Sequence, residues 1–219
     1  ANIANDYSKP FTFLMDVSML GVGTGFDTKG QSKITLNLPK NNWKNPNNDN
    51  SNYDFESRCG RIIKMRNTQN SDKEMIINQL SEFLGEYIDD MISQIKSDKF
   101  DKYCFTNLLS SYLQMKIYID KLNKIKNDEW NNMLYLQLED SRDGWVDALD
   151  MLLRSYFMDN LPMIIIDYSL IRKKGIVLSA FGGLSSGPLP LVEMVIKITS
   201  ILEQNYDYKM RVQELCLFV

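Results

Sequence analysis

The run from Asp167 to Leu191, DYSLIRKKGIVLSAFGGLSSGPLPL, leaves the chain few choices. It begins where the apolar stretch MIIID ends, then passes through a basic turn, a short extended segment and a glycine-serine-proline loop into a helix start. A continuous β-branched run suits a strand buried on both faces, and strand, loop and helix in succession point to an α/β fold. Gly182 and Gly183 carry no Cβ, so main-chain amides there can approach a ligand or another backbone. Ser185, Ser186 and Gly187 stand just before Pro188 and Pro190, where a helix opens, and amides at a helix start attract anions such as phosphate. These residues alone leave two readings open: a ligand loop, or a tight packing turn between strand and helix.

Helices can be read on either side of this run. Ile76, Leu80, Phe83, Tyr87, Met91 and Ile95 recur at helical spacing to about Lys96, and Ser71-x-x-Glu74 offers a capping box. A second helix is expected from about Thr106, with Leu108, Tyr112, Met115, Ile119 and Leu122 on one side. The two stripes should pack as an antiparallel hairpin or against the main core, and tyrosines and methionines at core spacing need no cofactor to explain them. A short strand, YLQL, is expected from Tyr135. Asp140 or Ser141 can then cap a helix that carries Trp145, Leu149, Leu152 and Tyr156 and ends near Asp159 and Asn160. Capping explains one of these polar residues. Asp140, Ser141, Arg142 and Asp143 crowded at one helix start leave a polar ligand plausible there. Leu191, Val195, Ile198 and Leu202 define the last helix.

Upstream, residues 1–9 are polar and begin without Met, which reads as a fragment or a processed product. Pro10 introduces a helix through about Leu20 that ends at Gly21. Gly21, Gly23 and Gly25 give GxGxG with no helix signal after it, which favours a short buried strand over a dinucleotide fingerprint. KITLNLP alternates like a half-exposed strand and stops at Pro39, and the Asn-rich residues 40–52 read as a surface loop in which Trp43 either docks on the core or stays loose. Between 53 and 71, Arg58, Arg61, Lys64 and Arg66 are either phosphate contacts or a solvated basic segment.

Composition excludes several chemistries. A formal net charge of -3 argues against a general polyanion binder, so nucleic acid is not an expected partner. The chain has no histidine, which removes Ser-His catalysis and histidine metal sites within it. Cys59, Cys104 and Cys216 are widely spaced with no CxxC pair, which suits a reducing compartment; no metal site is expected. No apolar run reaches the ~18 residues of a membrane span, so no membrane is expected and the cytosol is the default location.

Four blocks occur in one order: FLMDVSMLGVGTGFDTKG, DSRDGWVDAL, DYSLIRKKG and FGGLSSGPLPL. In that order they resemble the adenosylcobalamin-dependent, class II ribonucleoside-triphosphate reductases, over residues 10–30, 138–191 and more weakly to about Gln204. Residues 37–135 have no counterpart in the resemblance. It implies part of a ten-stranded α/β barrel, with residues 1–36 and 160–219 in the catalytic barrel. Residues 37–159 would be a helical insertion that includes an effector-site helix at 141–158. It also implies that Asp140 and Ser141 face the sugar of an allosteric deoxynucleotide, with Arg142 and Arg172 on its phosphates. Gly182, Gly183 and Ser186 would help form the substrate pocket. The whole enzyme of that family reduces ribonucleoside triphosphates through a thiyl radical, with adenosylcobalamin as cofactor and a thioredoxin-like reductant. The family's radical cysteine lies in an Asn-x-Cys-x-Glu type motif that these 219 residues do not contain, so the chain alone is expected to be inactive. The alternative is a non-catalytic nucleotide-binding regulatory protein derived from a reductase.

Overall fold

A computed structural model describes residues 8–23, 39, 53–57, 60–158, 161–178 and 182–204. The architecture is mixed α/β, with six helices and one four-stranded sheet among these residues. Strand order is β1-β2-β3-β4, where β1 is Tyr53–Glu56, β2 Ile62–Asn67, β3 Leu134–Gln137 and β4 Ile164–Asp167. The first two strands form an antiparallel hairpin, and β2 meets β3 antiparallel only at Arg66↔Tyr135 and Asn67↔Leu134. β3 and β4 run parallel, Leu134 opposite Ile164 through Gln137 opposite Asp167. A parallel pair needs a crossover, and α5, Arg142–Phe157, supplies it.

All four residues of β4 are buried, as the MIIID run requires. α5 packs on β4, and Gln79 of the long helix 70–96 bonds to Asp167 at the strand's end. α5 contacts both α1, Lys9–Met19, and α6, Leu189–Gln204. Twelve of its sixteen residues are buried, Leu149 and Leu153 completely, so the single apolar stripe expected there is too narrow. Asp147 and Asp150 belong to this buried set, and each has a cationic partner: Arg61 for the first, Arg154 for the second.

α2, Asn70–Lys96, ends where the periodicity predicts, but its cap lies two residues earlier than expected. Asp72, not Glu74, turns back: its carboxylate accepts the Gln69 amide at 2.7 Å. Arg66 then grips that carboxylate at 2.7 and 2.9 Å, which explains why an acid is buried at this helix start. α3, Lys102–Lys124, starts four residues before the expected Thr106 because Asp101 caps it, accepting the amides of Tyr103 and Cys104. The two helices pack together through faces that include Phe83, Tyr87, Met115 and Ile119, joined by a five-residue connection, so the hairpin reading holds. The one-turn α4, Asn127–Trp130, lodges Trp130 fully inside, with its indole donating to Gln69 O at 2.8 Å.

α1 ends as expected, with Leu20 at its cap and Gly21 at φ +72°. Gly21 to Gly23 continue as an exposed turn and coil, which corrects the expected buried strand for those residues. Gly25, the strand at 33–38, the Asn-rich segment with Trp43, Arg58, Cys59, Asp159, Asn160 and residues 205–219 with Cys216 lie outside the described residues. No helix among those described is long and apolar enough to cross a membrane.

Candidate functional site

Parallel strands point their carboxyl ends to one side, and ligands of open α/β sheets bind there. In this chain those ends are Gln137 and Asp167, and each feeds a polar loop. The β3 loop leads through Asp140 into α5. Ser141 is its N-cap, and the hydroxyl accepts the Gly144 amide at 3.0 Å. Gly144 is required there, because a Cβ would stand 2.2 Å from the Glu139 carbonyl oxygen. The β4 loop, 168–175, carries Arg172 back over the same helix start. Its Nε donates to Asp140 Oδ2 at 2.6 Å, and a terminal nitrogen reaches the Asp140 carbonyl at 3.4 Å. Thirty-two residues apart in sequence, Asp140 and Arg172 meet as an ion pair with about a third of each side chain exposed.

Arg142 turns the other way. It meets Asp16 of α1 at 3.2 Å and Asp143 at 3.3 Å. Asp140, Ser141 and Arg172 therefore share one edge of the α5 start, with Arg142 beside them but committed to α1. Two of the other basic candidates are held elsewhere: Arg61 is paired with Glu139 at 2.6 Å and with Asp147, and Arg66 with Asp72. Burial pushes the Asp147 carboxyl up, and Arg61 partly offsets this.

Gly182, Gly183 and Ser186 sit on a different feature, a small hairpin that follows the basic turn. Leu178 donates to Gly183 O, Ser185 to Ile176 O and Gly175 to Ser185 O, at 3.0, 2.7 and 2.8 Å. Both glycines have positive φ, +70° and +86°, so the tip uses the freedom that only glycine has cheaply. Ser186 donates to the Gly187 carbonyl at 3.3 Å. Gly187 is the buried glycine of the loop: a Cβ there would lie 2.9 Å from the Lys174 amide, so its absence seats the start of α6 against the basic turn. The packing-turn reading fits the root of this loop at Gly187, while its tip at Gly182 and Gly183 is exposed.

Among the described residues, one that is heavily bonded is one the sequence did not single out. Asp167 is fully buried, and its carboxylate accepts from Tyr135 OH at 2.5 Å, Gln137 at 3.0 Å, Ser169 N and Oγ at 2.8 Å each, and Gln79 at 3.1 Å. Burial alone would raise its pKa; the hydrogen bonds from Tyr135, Ser169 and Gln79 outweigh that and hold it below the ordinary carboxylate value. Burial, and the bond to Asp167, push the Tyr135 phenol far up in turn. Arg66 lies 3.9 Å over the Tyr135 ring. Beside this knot, α2 and the 168–175 turn line a cleft of about 510 Å³, whose walls include Glu82, Glu86 and Asp89 as well as Lys173 and Lys174.

Residues 113–202, from within α3 to near the end of α6, match the family model described as B12-dependent ribonucleotide reductase, insertion domain. Among curated proteins, the chain is 36% identical over 97 residues to the adenosylcobalamin-dependent ribonucleoside-triphosphate reductase of Lactobacillus helveticus, covering 42% of this chain and 13% of that one. It is 29% identical over 204 residues to a probable adenosylcobalamin-dependent ribonucleoside-triphosphate reductase of Dictyostelium discoideum, covering 93% of this chain and 17% of that one. A crystal structure of a B12-dependent, class II ribonucleotide reductase aligns at 32% identity over 35% of this chain and 11% of its own, with a TM-score of 0.32. The resemblance read in the sequence is thereby borne out: the chain is a relative of the B12-dependent ribonucleotide reductases. Within that class, the curated proteins it matches are named as adenosylcobalamin-dependent ribonucleoside-triphosphate reductases, and it spans 13% and 17% of the length of the two described. One expectation is corrected. Residues 37–135 do have a counterpart for the most part, since the match to the Dictyostelium protein takes in 93% of the chain.

Proposed function

We propose that this chain is part of an adenosylcobalamin-dependent ribonucleoside-triphosphate reductase, and that its described residues bind the nucleotides of that enzyme. The whole enzyme would reduce ribonucleoside triphosphates to 2′-deoxyribonucleoside triphosphates through a thiyl radical, with a thioredoxin-like protein as reductant. On this reading Asp140 and Ser141 contact the sugar of an allosteric deoxynucleotide and Arg172 its phosphates, while Arg142, expected there as well, is engaged with Asp16 and Asp143. Gly182, Gly183 and Ser186 wall the substrate pocket. The partial ten-stranded barrel, with 1–36 and 160–219 in it and 37–159 inserted, is the frame in which this reading places them.

The observation that carries the proposal is the meeting of Asp140 and Arg172 above the carboxyl ends of two parallel strands. A guanidinium there presents two donor faces, one taken by Asp140, and the fork geometry suits phosphate oxygens. In the whole enzyme adenosylcobalamin would supply the radical chemistry. Two clefts among the described residues, of about 510 and 330 Å³, are of small-ligand size, too small for that cofactor, and are lined by charged and apolar side chains together, so no step is assigned here through the cofactor. The 219 residues carry no Asn-x-Cys-x-Glu motif either, so this reading assigns none of them a part in the radical chemistry.

The test is equilibrium dialysis of the chain against labelled deoxynucleoside triphosphates. Binding should be saturable, and Arg172→Ala should weaken it by about 1.5–3 kcal/mol, the worth of a charge-assisted contact. Unchanged affinity in that variant refutes the assignment. Saturable binding by a chain that is native at this length would favour the non-catalytic regulatory reading instead.

A further inference from the structure

The turn that carries Arg172 is anchored from a helix far away in sequence. Gln79 lies on α2 and uses both ends of its amide. Its Nε2 donates to Asp167 Oδ1 at 3.1 Å, and its Oε1 accepts the Tyr168 backbone amide at 3.1 Å. The Asp167 oxygen that Gln79 holds also accepts the Ser169 amide at 2.8 Å. The first two amides of the turn are therefore fixed by Gln79 and by the carboxylate it bonds. From there the chain has little freedom: Ile171 N donates back to Tyr168 O at 3.0 Å, and the Ile171 side chain is buried. Arg172 is the next residue. A shift at Tyr168 passes through one hydrogen-bonded turn directly to the guanidinium beside Asp140.

We propose that Gln79 is a positioning residue for Arg172, setting where the guanidinium stands above the α5 start and so the affinity for a nucleoside triphosphate. The proposal rests on the reading of Arg172 as a phosphate contact. It gives α2, which lies outside the matched residues 113–202, a part in nucleotide binding.

A double-mutant cycle tests it, with labelled dATP, dGTP, dCTP and dTTP as probes and equilibrium dialysis of the chain as readout. Gln79→Leu keeps the volume and removes both hydrogen bonds, and should weaken binding roughly fivefold or more. In an Arg172→Ala background the same change should weaken binding no further, because the group it positions is gone. A purely structural role for Gln79 would instead lower affinity by the same factor in both backgrounds, and that result overturns the proposal. If Arg172→Ala weakens binding while Gln79→Leu does not, the phosphate reading stands and the positioning role fails. If Arg172→Ala is silent, the phosphate reading fails and takes the positioning role with it. Should Gln79→Leu not fold, Gln79→Asn, whose amide is one methylene too short to span Asp167 and Tyr168, takes its place in the cycle.

Discussion

Replacing Asp167 by Asn removes one charge and almost no volume, so whatever changes is due to hydrogen bonding. The carboxylate is fully buried and takes five hydrogen bonds, two on Oδ1 and three on Oδ2. An asparagine carbonyl placed at Oδ1 keeps Ser169 N and Gln79. Its amide nitrogen, placed at Oδ2, then faces three donors. The hydroxyls of Tyr135 and Ser169 can rotate to accept, but the Gln137 nitrogen cannot, and all the surviving bonds lose the charge on their acceptor. A hydrogen bond to a charged group contributes about 1.5–3 kcal/mol, and the relief of burying a charge offsets part of the loss. The net effect should be about 2–4 kcal/mol, a large part of the ~5–15 kcal/mol that holds a typical domain. Urea unfolding followed by far-ultraviolet circular dichroism would show it as a lower midpoint at unchanged slope. The pH dependence carries a sign. The folded carboxyl titrates below its unfolded value near 4, so its contribution is complete above about pH 4 and is lost as pH falls through the folded value. The gap between parent and Asp167→Asn must therefore narrow below pH 4. Equal stability at pH 7, or a gap that widens on acidification, would refute the reasoning.

Two further changes probe the frame around the site. Gly144→Ala puts a Cβ against the Glu139 carbonyl, 2.2 Å away, and the backbone carrying Asp140 and Ser141 must move; a loss of about 1–3 kcal/mol in thermal melts is expected, and an unchanged melting temperature would show that the segment gives freely. Leu149→Ala opens a hole at the fully buried centre of α5 and should cost about 2–5 kcal/mol in urea unfolding, with a value under ~1 kcal/mol meaning that α5 is not the core helix described.

What was legible in the sequence follows from how far apart the interacting residues lie. α2 and α3 could be read because Ile76, Leu80, Phe83 and Tyr87, or Met115, Ile119 and Leu122, repeat within one helix and face one side. β4 could be read because its burial on both faces is written in four consecutive residues. The β1–β2 hairpin could not: β1 is only four residues, β2 exposes every other side chain at its start, and Arg61 and Arg66 look solvated until Asp147 and Asp72 arrive from elsewhere. The site divides along the same line. Ser141 as a cap is a local fact, whereas the pairing of Asp140 with Arg172 joins two loops and was foreseen only as a shared ligand site through the resemblance. Asp167 and Gln79, 88 residues apart, carried one weak signal between them, an acid closing a strand otherwise buried throughout. A buried carboxylate must find donors, and a sequence states that need without naming who meets it. That is why the residue holding the turn in place stayed hidden while the one exposed upon it, Arg172, did not.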